Sequence, residues 1–409
     1  MFLKDIIIVW GCIMKTLLPL LFKAIEEINT RIIKIRRELH THPELSNHEE
    51  RTKFLIMGVL DAEGIEFEEF DENFGLVANI TKDPEKPYVA LRADMDALPI
   101  NEQTRVEYQS KNEGIMHACG HDSHTAILLG CAVALSSIKE HLNCNIRFIF
   151  QPAEEILEGG SSQMIENGAL KNVSAIFGLH AYPYLKTGQI GYKKGVMLAS
   201  ADMFEIEIFG KCSHGARPHE GVDAILVTSV IVNSLNHIVS RQIDPLPPAV
   251  ISLGTIEGGS AANIICDHVI LKGTVRTVNH DVRNNIPQMM ETSIKGICKS
   301  MNASYNFHYD FGIPEVENDN AMVELIQEAS IEVVGEENTI DLVDPVMGGE
   351  DFGRYLKKVP GAFFRLGTCN EEKDTCYAQH NNRFNVDDDA LIIGMKILSL
   401  SALKVLQDG

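Results

Sequence analysis

The stretch Ile146-Arg-Phe-Ile-Phe-Gln151-Pro-Ala-Glu154-Glu155 joins an apolar, β-like run to two adjacent acids. Runs of the same kind recur at 76–80, 88–92 and 175–179, with helical segments between them. Apolar strands interleaved with helices predict an α/β layer with a mainly parallel central sheet. In open sheets of this type, sites collect at the carboxyl ends of strands. The placement of Glu154 and Glu155 just after a strand is therefore a functional signal as well as a structural one.

Outward from that stretch, residues 21–40 carry Ile25, Ile28, Ile32, Ile35 and Leu39 on one helical face, and His42-Pro43-Glu44 stops the helix. Residues 49–60 read as a second helix closed by Gly64, and the apolar run from Thr125 to Leu135 as a buried one. Near Ala199 the pattern changes. Residues 203–209 alternate apolar and polar strictly, as a half-buried strand does. A helix at 221–238, strands at 249–253 and 268–278, a helix at 281–301 and a strand at 305–309 follow. This β-α-β-β-α-β order is the ferredoxin-like unit. Helices at 320–334 and 390–406 return to the first layer. The expected organisation is a catalytic domain in two parts, 1–200 and 313–409, interrupted by an inserted α+β lid or dimerisation domain at 201–312.

At 409 residues the chain exceeds one ordinary core, and its 45% hydrophobic and 23% charged content is that of a soluble enzyme-sized protein. A net charge of −21 excludes the basic surface that nucleic acid or an anionic membrane requires. The nine cysteines, at 12, 119, 131, 144, 212, 266, 298, 369 and 376, show no framework spacing. They read as reduced thiols in a cytoplasmic protein. The apolar stretch 2–21 is broken by Lys4, Asp5 and Lys15. It reads as part of a helical start, with a signal or anchor segment, or a true start at Met14, as the alternatives.

The densest chemistry lies in His117-Ala-Cys119-Gly120-His121-Asp122. Thiolate and imidazole are the donors zinc prefers, and Gly120 lets the backbone turn so that Cys119 and His121 face one point. Arg92-Ala-Asp94-Met-Asp96-Ala-Leu-Pro99 places two carboxylates at i, i+2 beyond a strand. Of Glu154 and Glu155, one can ligate metal while the other takes a proton from water. Gly178-Leu-His180 is expected to end a third strand, and His380 lies in a polar loop before the last helix. Taken singly, Glu154-Glu155 also reads as an exposed first-turn helix pair, His180 as a core histidine, His380 as a surface one, and Asp94 and Asp96 as turn caps.

The order Arg-Ala-Asp-Met-Asp-Ala-Leu-Pro, His-Ala-Cys-Gly-His-Asp, Gln-Pro-Ala-Glu-Glu and Gly-Leu-His resembles the aminoacylase-type metallopeptidases. The branch it is most similar to contains hippurate hydrolases, auxin–amino-acid conjugate hydrolases and N-acetyl-diaminopimelate deacetylases. The resemblance runs from Arg36-Arg-Glu-Leu-His40-Thr-His-Pro-Glu44 to Phe384. It implies one or two divalent ions, zinc or manganese before cobalt or nickel, held by Cys119, His121, Glu155, His180 and His380, with His117 and Asp122 in support. It implies Glu154 as general base on metal-activated water, and an aspartate that orients a ligand, either Asp96 or Asp94.

In the insert, Gly210-Lys-Cys-Ser-His214-Gly-Ala-Arg-Pro218-His219 resembles a lid motif whose histidine reaches a neighbouring active site as oxyanion donor. Asn263 and Arg276 match positions that hold a substrate carboxylate. Dimerisation through the insert would follow. The chain departs from the pattern at Cys266 and within His380-Asn-Asn-Arg-Phe384, where relatives usually carry proline. The expected function is metal-dependent hydrolysis of the amide bond of N-acyl amino acids. A carboxypeptidase or dipeptidase, and a non-catalytic metal- or amino-acid-binding relative, are the alternatives.

Overall fold

The computed structural model describes residues 2–70, 72–157 and 159–405, with side chains from residue 16 onward. They form two compact units. The first comprises Met1–Gly195, Glu317–Val343 and Asp351–Gly409; the second comprises Val196–Val316 and Asp344–Glu350.

In the first unit the helix Phe2–Thr41 buries Leu21, Ile25, Ile32 and Leu39 along one stripe, as the spacing predicts. The apolar stretch 2–21 continues this helix, and its side chains before Thr16, with Cys12, lie outside the described residues. After the stop at His42-Pro43, the Glu44 carboxylate accepts from the Arg51 and Thr52 amides at 3.0 and 2.8 Å and so satisfies the exposed N–H groups of the helix Glu50–Ala62.

The sheet has eight strands in the order Glu66–Glu69, Leu76–Ile80, Asn145–Gln151, Tyr88–Asp94, Val173–Lys186, Gly361–Cys369, Ile190–Tyr192, Thr339–Asp341. The four strands from Asn145–Gln151 to Gly361–Cys369 are mutually parallel, and antiparallel pairs lie on both sides of them. The helix His121–Ser137 has no solvent face: every residue from His121 to Leu135 is buried. It packs between the helices Phe2–Thr41 and Asp389–Lys404 and the sheet.

Two expectations need correcting. His180 does not end its strand; Val173–Lys186 runs on because Gly361–Cys369 keeps pairing with it, Arg365 opposite His180. Its other neighbour, Tyr88–Asp94, stops pairing at Gly178, which leaves His180 open on that side. The cysteines are not all thiols either. Cys369 and Cys376 form a disulfide across the short loop that follows the strand Gly361–Cys369, with their Cα atoms 4.4 Å apart. An odd count with no framework hid this local pair. Of the remaining described cysteines, Cys119, Cys131, Cys144, Cys266 and Cys298 are buried thiols and Cys212 is exposed.

The second unit is a four-stranded antiparallel sheet ordered Ala249–Gly258, His268–Thr277, Ser200–Phe209, Ser304–Ile313, the ferredoxin-like arrangement. Alternation along 203–209 turns Phe204, Ile206 and Ile208 into the core beneath the helices Ala224–Arg241 and His280–Ser300. Asp223 and Asn279 cap these helices, accepting from the Leu226 and Val282 amides at 3.1 and 2.9 Å. The helix Ala224–Arg241 is long and apolar enough to cross a membrane, but it lays Val227, Ile231, Leu235 and Ile238 into this core.

Candidate metal centre and active site

Gly120 stands at φ 100° immediately before the helix His121–Ser137, and a Cβ there would come within 2.9 Å of the Ala181 Cβ. Only glycine accommodates both constraints, so Cys119 and His121 turn towards one another as the sequence implied. Asp122 lies in the first turn of the same helix but faces away, ion-paired with Arg36 at 2.8 Å and accepting from His40 Nδ1 at 2.8 Å. These contacts tie the buried helix start to the helix Phe2–Thr41.

Around this turn the structure gathers six donor residues. Cys119 Sγ lies 3.5 Å from His180 Nε2, and Cys119, His121 and His180 offer ligand atoms within 4.8 Å of one another. Cys119, Glu155 and His380 form a second such group, and His121, Glu154 and Glu155 a third. His380 Nε2 is 3.5 Å from Glu155 Oε1, on a residue held at φ 62° whose amide donates to the Ala118 carbonyl at 2.8 Å.

Hydrogen bonding sorts the histidines. His121 Nδ1 donates to Asp96 Oδ1 at 3.1 Å, which leaves the Nε2 lone pair facing the cluster. His180 Nδ1 donates to the Ala181 carbonyl at 2.9 Å, so its Nε2 is likewise the acceptor, and it faces Cys119. His124 has both nitrogens engaged, Nδ1 with Asp94 at 2.6 Å and Nε2 with the Ala181 amide at 2.8 Å, and is not available to a metal. His121 Nε2 and Glu155 Oε1 are buried without a hydrogen-bond partner and lie 3.9 Å apart. Two buried orphans facing one another among thiol and imidazole donors fit a divalent cation.

The same bonding separates the two aspartates. Asp96 holds His121 with one oxygen, and the Glu155 amide and the Ser46 hydroxyl with the other at 2.9 and 2.7 Å. Asp94 instead accepts from Arg92 at 2.7 Å and from His124, and stands 3.8 Å from His121 Nε2. Arg92 continues to Asp351 at 2.7 Å, so Asp94 belongs to a buried ionic chain under the site.

Glu154 and Glu155 do not begin a helix. They lie in an irregular turn after Asn145–Gln151, ahead of the helix Gly160–Glu166, with Ala153 at φ 56°. Glu154 is 8% exposed, and its Oε2 lies 4.0 Å from His121 Nε2.

Burial, with the Glu155 carboxylate beside it, pushes the Cys119 thiol up. His121 is raised too; burial opposes its charge, but Asp94, Cys119 and Asp96 outweigh that cost. His180 is driven down by burial and then by His124 and Arg365. Metal binding at such a cluster displaces the protons on sulfur and nitrogen, which couples affinity to pH.

Sequence reasoning passed over Gln379, whose Nε2 lies 3.1 Å from His180 Nδ1 and 3.8 Å from Cys119 Sγ. Adjacency to His380 was its one signal. It also passed over Ser46 and Glu49, which reach the site from a loop 48 and 45 residues before the strand end at Asp94.

In the second unit, His214 and Asn263 sit together: Ser213–His214 pairs with Ile264–Ile265, and the Gly215 amide donates to the Asn263 carbonyl at 2.8 Å. His214 Nδ1 accepts from the Ala216 amide at 3.0 Å, so Nε2 carries the proton. Arg276 is elsewhere. It lies at the far end of the strand His268–Thr277, eight residues and about 26 Å from the His268 end that adjoins His214.

The site thus combines a soft, multidentate donor cluster with a shielded carboxylate, at strand ends of a mainly parallel sheet: a metallohydrolase arrangement. Peptidase family M20/M25/M40 matches residues 90–404, and the chain belongs to that family. It is 39% identical over 381 residues to the N-acetyl-L-cysteine deacetylase of Bacillus subtilis, covering 93% of this chain and 89% of that protein. It is 40% identical over 385 residues to thermostable carboxypeptidase 2 of Saccharolobus solfataricus, covering 93% and 96%. A solved Bacillus subtilis structure, described as a dinuclear metal binding peptidase of the M20 family, superposes with a TM-score of 0.81 at 37% identity, covering 93% of this chain and 99% of that one. The protein is a metal-dependent amidohydrolase.

Proposed function

We propose that this enzyme hydrolyses the amide bond of N-acyl amino acids, with Cys119, His121, Glu155, His180 and His380 holding one or two ions, zinc or manganese before cobalt or nickel. The observation that carries this reading is the pair of buried orphan atoms, His121 Nε2 and Glu155 Oε1, with Glu154 Oε2 beside the same nitrogen. When bound, a divalent ion supplies charge to polarise the acyl carbonyl and acidify water. Glu154 accepts a proton from the attacking water and returns it to the leaving amine. Asp96 holds His121 in the ligating tautomer. Asp94 anchors Arg92 beneath the site and takes no part in proton transfer.

In the second unit, Nε2–H of His214 is a donor suited to a developing oxyanion. Arg276 suits the substrate carboxylate, and Asn263 a polar contact beside His214. Their separation along the strand means that one small substrate cannot meet both ends from one chain. A homodimer in which His214 and Asn263 serve the partner's site resolves this. Ile225, Leu226 and Val230, exposed on the helix Ala224–Arg241, offer it an apolar face. A cytoplasmic location fits the six free cysteines among the described residues, with Cys369–Cys376 as the exception.

The test is Glu154→Gln, assayed on N-acetyl and N-benzoyl amino acids and on dipeptides, with metal-stripped protein reloaded with zinc, manganese, cobalt or nickel. The variant should lose turnover and keep its metal; retained turnover would remove Glu154 from the role. Faster cleavage of dipeptides than of acyl amino acids would favour the carboxypeptidase reading that the Saccharolobus relative's name suggests. Full metal loading with no hydrolysis of any compound would favour a binding protein.

A further inference from the structure

Glu49 is wholly buried, yet it is far from the donor cluster in sequence and is not among its ligands. Its Oε1 accepts from the Ala153 amide at 2.8 Å. Ala153 is a non-glycine residue at φ 56°, a conformation that persists only where its surroundings over-determine it. Three fastenings do so. Besides the Glu49 bond, the Gly160 amide donates to the Ala153 carbonyl at 2.8 Å, and the Glu155 amide donates to Asp96 Oδ2 at 2.9 Å. Two buried carboxylates therefore grip the amides on either side of Glu154, one residue before it and one after. Both are braced from a single loop. Ser46 donates to Asp96 at 2.7 Å, and the loop is pinned to the end of the motif by the Ala97 amide on the Glu44 carbonyl at 2.8 Å.

We propose that Glu49 is a positioning residue for the general base: by holding the Ala153 amide it fixes the direction in which Glu154 leaves the backbone. The role rests on Glu154 being the base. An ionisable group is a costly choice for a buried acceptor. Burial, with Asp96 adding to it, pushes the Glu49 carboxyl up to about 7. A group kept there despite that cost is one whose acceptor is needed.

The test uses the metal-loaded enzyme and compares Glu49→Met, which keeps the volume and loses the acceptor, with Glu49→Gln, which keeps an acceptor oxygen. Misaiming a base by a fraction of an ångström costs about 10- to 100-fold in rate. Glu49→Met should therefore lose about 10- to 100-fold in kcat with KM and bound metal unchanged. Glu49→Gln should restore kcat to nearly the parent value. An unchanged kcat in Glu49→Met, equal damage in Glu49→Gln, or loss of metal in step with kcat overturns the proposal. Should Glu49→Met fold poorly, Glu49→Met with Ala153→Gly relieves the positive-φ strain; full kcat in that pair would also overturn it, because the acceptor would then not be needed for aim. Glu154→Gln in the same assay separates the two readings. If it stays active, the base assignment falls; if it is inactive while Glu49→Met is fully active, only the role of Glu49 falls.

Discussion

Asp96 and His121 are joined through Oδ1 and Nδ1 at 3.1 Å, with both side chains fully buried. The contact fixes the proton on Nδ1 and leaves the Nε2 lone pair facing the donor cluster. Through its other oxygen Asp96 also sets the Glu155 backbone, so one carboxylate governs two members of the proposed ligand set. Asp96→Asn should weaken metal binding about 10- to 100-fold, read by chelator competition, with a modest change in melting temperature. Asp94→Asn should do the reverse. It breaks the contacts with Arg92 and His124, a change that costs about 3–5 kcal/mol for a buried pair, while metal affinity holds. An Asp94→Asn protein that melts normally and loses its metal would exchange the two assignments.

The distance between His214 and Arg276 makes a dimer testable with two dead enzymes. On the proposed roles, Glu154→Gln removes the base and His214→Ala the oxyanion donor, so each should be inactive alone. Mixed under conditions that exchange subunits, they should recover about a quarter of wild-type turnover, since half of the dimers carry one intact site. A mixture that stays inactive, although mass spectrometry shows heterodimers, would place His214 in its own chain's chemistry or in none.

The second unit has a pH signature of its own. Tyr309 Oη donates to Asp202 Oδ2 at 3.0 Å, and Asp202 is also held by Arg283 at 2.6 Å. Burial, and then the Asp202 carboxylate, raise the Tyr309 hydroxyl above the ordinary tyrosine value of about 10. A raised pKa means that the folded state prefers the protonated form. Its stabilisation is complete below the unfolded pKa and is lost as pH climbs beyond about 10. Tyr309→Phe should therefore melt below the parent at pH 8 by about 1 kcal/mol, the worth of one hydrogen bond. The gap should narrow from pH 10 to 11. A gap that stays constant across that range would show that the hydroxyl titrates alike in both states.

Residues that form local patterns were readable without coordinates. The alternation at 203–209, the all-apolar run after His121 and the glycine between Cys119 and His121 each state a backbone period or a φ requirement in a few letters. The strand through His180 was misjudged because its length depends on which neighbour keeps pairing, a non-local fact. The choice between Asp94 and Asp96 stayed open for a similar reason. Both leave the strand on the same side, and they are told apart only by what lies opposite, His124 and Arg92 for one and His121 for the other. Glu49 and Gln379 stand in segments whose side chains meet the site through tertiary approach alone. Single disulfides across short loops, such as Cys369–Cys376, leave no framework to read.

The second unit takes its residues from two places, Val196–Val316 and the seven-residue return Asp344–Glu350. The chain therefore passes between the units four times, after Gly195, Val316, Val343 and Glu350. A ferredoxin-like module entered and left once could be cut out, swapped for another or inherited as a cassette. This one cannot be moved whole without its small second piece. A chimaera built on the long segment alone would carry a foreign return segment, so shuffling that retunes this enzyme must proceed by point changes within the unit or by exchanging both pieces together.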